Sequence, residues 1–484
     1  MSTAREPLLR ASAIDLAGRI RRREVSSRAV VDAHIDAVER LNPVLNAVVA
    51  DRFVAARAEA DEADRRLAAH EPALGPLHGV PCTIKECFAL VGMPNTSGLV
   101  SRRSVQVDHD ATTVARLRAA GAIPIGVTNT SELCMWMESN NRVYGRTNNP
   151  YDPSRIVGGS SGGEGAIVGS GASPFGLGSD IGGSIRMPAF FNGVFGHKPT
   201  GGLVPSTGQY PSPGPGALAS LATGPLCRRA EDLMPLLRVL AGPDGFDAVC
   251  KEATLLDPAD VDLSTLRVVD IADNGFVGVT RDLREAQQRV ATHLERLGAR
   301  IERPRIPALK QSLEIWSEMM SSAGGTSFAD LLGDGRQVRP ARELLRWAAR
   351  RSPHTLPAIV LAMVEKWAER LPGAERAARV GRELRAEIVE RIGPHGVLLF
   401  PSYASPAPRH YVPLMPPIRW AYTAIWNALQ IPVTQVPLGL NAQGLPLGVQ
   451  VGAVHDNDHV TIAVALELER AFGGWVVPPM SVVA

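Results

Sequence analysis

The spacing of apolar positions changes character several times along the chain, and each change predicts an element. Residues 12–23 and 26–41 place apolar side chains at helical spacing behind a serine suited to capping. In the second, Val30, Val31, His34, Ala37, Val38 and Leu41 fall on one face. Residues 77–88, LHGVPCTIKECF, open with Gly79 and Pro81 and continue as a short apolar strand that carries Lys85. A helix over 111–120 and a strand over 122–127 follow, which sets up a βαβ rhythm. A further helix is predicted from 164 to 170 and a short buried strand at 174–177. From about 243 to 394 the pattern becomes one of long Arg/Glu/Ala-rich helices, such as 281–297 and 374–391. Apolar strands return at 397–401, 433–438 and 447–451, ahead of a closing helix at 460–472. No internal repeat or low-complexity linker interrupts this order. The expectation is a single α/β domain over 1–484, with a mainly helical insertion at 243–394.

Composition narrows the class. The chain has 484 residues, 45% hydrophobic and 21% charged, and a mean hydropathy of 0.00. That balance fits a globular protein, and a net charge of +2 argues against a dedicated nucleic-acid binder. The clusters Arg21-Arg22-Arg23 and Arg102-Arg103 read as solvated faces. Cys82, Cys87, Cys134, Cys227 and Cys250 make an odd count with no C-x-x-C pair, which points to free thiols in a reducing compartment and a cytoplasmic location. The stretch MSTAREPLLRASAIDLAGRIRRRE contains no apolar run long enough for a signal peptide or anchor. Residues 356–364 are too short to span a bilayer. Following a Trp347- and Arg-rich stretch, they read either as an ordinary core helix or as one lying peripherally on a membrane.

Candidate chemistry concentrates between 156 and 199. Two glycine pairs each precede a serine, in Gly158-Gly159-Ser160 and Gly182-Gly183-Ser184. Without a Cβ, such a pair lets the backbone turn sharply and approach another group closely. The serine that follows can then present its hydroxyl beside free backbone N–H groups, the arrangement an acyl-transfer nucleophile needs. Ser184 is the first candidate, with the N–H groups of Ile181, Gly182, Gly183 and Ser184 facing the oxyanion. A phosphate-binding turn is disfavoured, because neither G-x-x-x-x-G-K-[ST] nor G-x-G-x-x-G occurs here. None of the eleven histidines lies in a triad context. His455 and His459, around Asp456-Asn457-Asp458, lack H-E-x-x-H and a third ligand; they read as a polar loop capping the last helix and not as a metal site. Lys85 is more informative. Burial in an apolar strand disfavours its cation, and a neutral lysine is a competent base; the alternative is a lysine that snorkels to solvent. Cys82 and Cys87, which flank it, read as buried filler.

Three motifs together resemble the amidase signature hydrolases: G-V-P-x-x-I-K-E around Lys85, G-G-S-S-G-G-E-G-A around Ser160, and G-S-D-I-G-G-S-I-R-M-P-A around Ser184. The likeness covers nearly the whole chain, with the signature core at 60–240. Within the family it is greatest to the fatty-acid amide hydrolases of the second vertebrate type, through CMWMESNN at 134–141 and FADLLGD at 328–334. The resemblance implies an α/β/α fold with a mixed central sheet, no cofactor, and a Ser–cis-Ser–Lys triad of Ser184, Ser160 and Lys85 with the Gly159–Ser160 peptide cis. It implies a structural pair between Asp180 and Arg186, and an acyl pocket lined by Cys134, Met135, Trp136 and Met137. Trp420, Tyr422 and Trp426 either join that lining or pack in the core. The implied substrate is a small, lipophilic amide such as an N-acylethanolamine or a primary fatty amide, and the implied assembly is a homodimer. The N-terminal membrane anchor of the first vertebrate type is not expected.

Three other readings are open to this chain. The amidase component of a tRNA-dependent glutamine amidotransferase would use the same triad on glutamine, although the apolar 134–137 segment disfavours it. An α/β-hydrolase esterase would use Ser161 in G-x-S-x-G and need a downstream acid and histidine. A non-catalytic binding protein on the same fold would leave the three matched positions without a purpose.

Overall fold

Continuous apolar runs predict strands covered on both faces, and the central strands are covered in that way, while those at 48–51, 267–270 and 300–302 are partly exposed. The computed structural model describes residues 6–252, 254–336, 338–368, 374–414 and 418–483; residues 1–5 of the N-terminal stretch read above lie outside it. Among the described residues an 11-stranded sheet forms the centre. Its strands are β1 (Val48–Asp51), β2 (Pro81–Lys85), β3 (Ile123–Thr128), β4 (Phe175–Asp180), β5 (Phe195–Lys198) and β6 (Ala222–Cys227). They continue with β7 (Arg267–Asp270), β8 (Arg300–Glu302), β9 (Gly396–Pro401), β10 (Val433–Leu440) and β11 (Pro446–Gly452). The spatial order is β1-β3-β2-β4-β6-β5-β10-β11-β9-β7-β8. β2 runs parallel to β3 and β4, and β7 parallel to β8 and β9, while the remaining neighbours are antiparallel. The sheet is therefore mixed, and helices such as Arg281–Arg296 and Asp458–Phe472 pack on it, giving the α/β layering expected.

The N-terminal helices form at Ala13–Arg21 and Ser27–Leu45. Ser12 and Ser26 cap them by accepting from the N–H groups of Asp15 and Ala29. The second helix outruns its prediction because Pro43 is accommodated in it and Asn46, in the left-handed region, ends it.

Two central strands escape the hydropathy pattern. β6, ATGPLC, holds a glycine and a proline, yet it is fully buried and pairs with β4 from Phe175↔Cys227 to Asp180↔Ala222. β5 is buried too, although it carries His197 and Lys198. The 243–394 stretch supplies helices Ser312–Ser321, Leu356–Ala368 and Ala374–Ile392, and it also adds β7 and β8 to the sheet. Among the described residues no helix is long and apolar enough to cross a membrane.

For the site the important pair is β2 and β4. They are parallel neighbours, so Lys85 at the end of one and Asp180 at the end of the other emerge at the same edge of the sheet. In open α/β sheets that carboxyl edge is where binding crevices form.

Candidate functional site

Lys85 does not snorkel. Its side chain is 0% exposed. Its Nζ donates to Ser160 Oγ at 2.7 Å and to Ser179 Oγ at 3.0 Å, so its described partners are two hydroxyls and no carboxylate. The nearby acids are satisfied elsewhere. Glu164 accepts from the hydroxyls of Thr83 at 2.6 Å and Thr128 at 2.8 Å. Glu86 accepts from Thr96 N, Ser97 N and the Tyr144 hydroxyl. Burial pushes both carboxyls up, Glu164 to about 8 and Glu86 to about 7, against these hydrogen bonds. Cys82 and Cys87 beside the lysine are buried free thiols, and burial raises both.

Ser160 lies one residue before Ser161, the N-cap of the helix Gly162–Gly169, and the Gly159–Ser160 peptide is cis. Gly159 is required by its surroundings, because a Cβ there would lie 2.2 Å from the Trp136 carbonyl oxygen. That contact sets the 134–137 segment directly against the serine turn. Within the segment Cys134, Met135 and Trp136 are half-buried and Met137 is buried. Cys134 Sγ lies 3.3 Å from Ser97 Oγ, and Tyr403 OH donates to Met137 Sδ at 3.6 Å.

Ser184 sits on the neighbouring turn. Ser161 N–H donates to the Ser184 carbonyl at 3.2 Å and so ties the two serine turns together. The Ser184 side chain is half-buried, and no described residue forms a hydrogen bond with its hydroxyl. Ser161 differs. It is fully buried, with its hydroxyl donating to Ser179 O at 3.3 Å, an inward placement that weighs against the esterase reading.

The expected run of four free N–H groups needs one correction. Gly183 N–H donates to Asp180 Oδ1 at 2.7 Å and is not available to a ligand. Ile181, Gly182 and Ser184 make no N–H hydrogen bond to a described residue. Gly183 takes φ +120, and a Cβ there would fall 2.1 Å from Thr423 Oγ1, so no other residue fits the turn.

Asp180 organises the whole turn. Besides Gly183 N–H it accepts from Ile185 N at 3.1 Å, Arg186 N at 3.3 Å, Arg186 Nε at 3.0 Å and Arg186 Nη2 at 2.9 Å. Both side chains are 0% exposed, and the expected Asp180–Arg186 pair forms. Burial works against ionising Asp180. The charge and hydrogen bonds of Arg186 outweigh it, helped by Lys198 and Ile185 N–H, and hold the carboxyl well below the usual carboxylate range.

The aromatic set divides. Tyr422 and Trp426 are 0% exposed around Phe400 and belong to the core. Trp420 is half-buried and lies edge-on to Trp316, ring centroids 4.6 Å apart, beside Gly182. His455 lies 3.4 Å from the Gln430 carbonyl, and His459 is buried next to Asp458, whose carboxylate engages His197 and Thr200. The N-cap residue of that last helix, Asn457, makes no side-chain cap hydrogen bond, so the loop does not cap it as expected. Among the described residues no three His, Cys, Asp or Glu side chains converge.

Ser179, Thr423 and Trp316 were not singled out by sequence reasoning. Ser179 carried a signal: extending the predicted strand beyond residue 177 makes it a strand residue one position before Asp180. Thr423 and Trp316 carried none.

Comparison with known proteins agrees in one direction. The family model described as Amidase matches residues 29–462. Fatty-acid amide hydrolase 2-A of Danio rerio is 48% identical over 489 residues, covering 98% of this chain and 90% of that protein. A glutamyl-tRNA(Gln) amidotransferase component from Synechococcus sp. (strain CC9605) is more distant, at 32% over 467 residues, with 93% and 94% covered. The solved structure of 6-aminohexanoate cyclic dimer hydrolase complexed with substrate superposes with a TM-score of 0.82 at 25% identity. It covers 98% of this chain and 99% of its own.

Proposed function

This chain belongs to the amidase family and is an amide-hydrolysing enzyme, and on that premise we propose that it cleaves lipophilic carboxylic acid amides with Ser184 as nucleophile, Ser160 as proton shuttle and Lys85 as base. One observation carries the assignment: a fully buried lysine whose described hydrogen-bond partners are two hydroxyls, one of them the serine of the adjoining glycine turn. In this reading Lys85 works as the neutral amine, the form of a lysine that can accept a proton. For the reaction the amine turns its lone pair toward Ser160 Oγ, 2.7 Å away, and takes the hydroxyl proton while Ser160 takes the proton of Ser184.

The Ser184 oxygen then adds to the amide carbon, and the carbonyl π electrons move onto oxygen. The N–H groups of Ile181, Gly182 and Ser184 stabilise that oxyanion; Gly183 is excluded because Asp180 holds its N–H. Collapse breaks the C–N bond as Ser160 protonates the departing nitrogen and recovers a proton from the Lys85 ammonium. The proton is needed because an amine anion is a very poor leaving group. Water, deprotonated through the same relay, adds to the acyl carbon; the Ser184 oxygen leaves with a proton from Ser160, and Lys85 hands its proton back to Ser160 and ends as the neutral amine.

Fatty-acid amides, N-acylethanolamines and primary fatty amides among them, are the substrate class we infer. The apolar Cys134, Met135 and Met137 beside the Ser160 turn support it, because pliable sulfur-bearing side chains suit an alkyl chain. The amidotransferase reading would need charged partners for a glutamine, and segment 134–137 offers none. The helix Leu356–Ala368 buries Ala358, Ile359 and Ala362 while Val360, Met363 and Val364 are exposed, which supports peripheral membrane contact by a cytoplasmic enzyme. A homodimer is the family's implied assembly, to be checked by sedimentation.

The deciding experiment is a panel from short acyl amides to N-acylethanolamines, with fluorophosphonate labelling read by mass spectrometry. An adduct on Ser184 and turnover that rises with acyl length are expected. An adduct on Ser161, or glutaminase activity that depends on partner proteins, would overturn the reading. Vesicle co-sedimentation of the Val364→Glu variant tests the membrane contact separately.

A further inference from the structure

We propose that Trp316, in the helix Ser312–Ser321 of the 243–394 stretch, is a positioning residue that orients the Gly182 N–H toward the oxyanion; the inference rests on the reading of Ser184 as nucleophile. Each carbonyl of the 181–184 turn is held by a donor. Trp316 Nε1 donates to the Ile181 carbonyl at 2.7 Å. Thr423 Oγ1 donates to the Gly182 carbonyl at 2.7 Å, Met187 N to the Gly183 carbonyl at 2.7 Å, and Ser161 N to the Ser184 carbonyl at 3.2 Å. None of these peptides is among the cis bonds of the described chain. In a planar trans peptide the C=O and the N–H point in opposite directions. Holding the Ile181 oxygen outward therefore turns the Gly182 N–H inward.

The indole adds a constraint that a hydroxyl would not. It donates and cannot accept. If the Ile181–Gly182 peptide flipped, its N–H would face the indole N–H, two donors together, and its carbonyl oxygen would point where the oxyanion forms. Glycine at 182 has little of its own to resist such a flip, since it lacks a Cβ. The environment supplies the resistance. A Cβ at Gly182 would lie 3.5 Å from both Trp316 Nε1 and Trp420 Cζ3, so the two edge-on rings wall the outer side of this peptide. Met187 and Ser161 belong to the signature motifs and Thr423 to the helix Ala421–Ala428. Only the Trp316 clamp comes from the 243–394 stretch, which gives that stretch a direct part in completing the oxyanion turn.

The test is Trp316→Phe, which keeps an aromatic ring and removes the donor. The expected result is a fall in kcat of about 10–100-fold, with KM changed by less than about threefold, because the oxyanion forms only in the transition state. Affinity for a trifluoromethyl ketone, whose adduct carries that oxyanion, should weaken in step with kcat. Trp316→His, which retains a ring N–H, should recover part of the loss. Trp475→Phe removes an indole N–H that donates to the Gly169 carbonyl at 2.8 Å, and kcat should not move. Wild-type kcat in Trp316→Phe, an effect carried wholly by KM, or a thermal midpoint that collapses in both the Phe and His variants would overturn the proposal. Turnover surviving in Ser184→Ala would instead overturn the function on which it rests.

Discussion

Replacing Asp180 by Asn tests how the nucleophile's turn is held. The change is nearly isosteric, so packing is preserved while charge and acceptor capacity are not. The carboxylate now receives Gly183 N–H on Oδ1, Ile185 and Arg186 N–H on Oδ2, and two nitrogens of the Arg186 side chain. An amide offers one accepting oxygen, and its NH2 must face donors on the other side. Arg186 is left fully buried with only neutral acceptors, the Thr423 carbonyl, Gln450 Oε1 and Asn427 Oδ1. Removing one partner of a buried ion pair costs about 3–5 kcal/mol, a large part of the ~5–15 kcal/mol of a typical folded domain. Guanidinium unfolding followed by circular dichroism, with refolding as the reversibility check, measures it. Arg186→Met should cost a comparable amount. The double variant should cost less than the two together, with a coupling of about 0.5–3 kcal/mol, because it removes both charges. An Asp180→Asn protein within about 1 kcal/mol of wild type, or strict additivity in the cycle, would refute the claim that this pair holds the turn.

Lys85→Ala should lower kcat/KM on amides by about 10²–10⁴-fold, and should affect matched esters less, because an alkoxide leaves with less help from a proton than an amine does; equal losses on both would count against the shuttle through Ser160. Gly159→Ala places a Cβ 2.2 Å from a backbone oxygen that a side-chain rotation cannot relieve. It should destabilise by about 1–3 kcal/mol and depress turnover further, as read from thermal melts and kinetics on the folded fraction. Glu164, raised to about 8 by burial, keeps a proton in the folded chain that the unfolded chain releases near about pH 4.3. The native state therefore binds more protons across that interval, and stability falls as pH rises through it. Glu86 and Asp232, raised to about 7, act with the same sign, so Glu164→Gln should reduce the slope of unfolding midpoint against pH between about 4.5 and 8 without abolishing it; an unchanged slope would refute the assignment.

The parts of this site that were legible in the sequence share a physical property: their requirement is local. Gly159 and Gly183 sit where a Cβ would strike a neighbour 2.2 or 2.1 Å away, and no other residue type meets that need, so the pairs stand out as residue types. Lys85 was legible for a related reason, since a cation in the apolar run PCTIK conflicts with its setting and the conflict calls for an explanation. β6 was missed because ATGPLC gains its stability from being sandwiched between β4 and β5, a tertiary condition with no period in the sequence. The carbonyl clamps fail for a deeper reason. A backbone oxygen accepts from an indole, a hydroxyl or a main-chain N–H alike, and here it accepts from all three. Because the donor's chemistry is interchangeable, residue type marks nothing, and because it arrives from distant elements, spacing marks nothing either. What identifies Trp316 and Thr423 is only where the fold delivers their polar hydrogens. A sequence can therefore announce a nucleophile's turn while leaving silent the groups that aim its peptides.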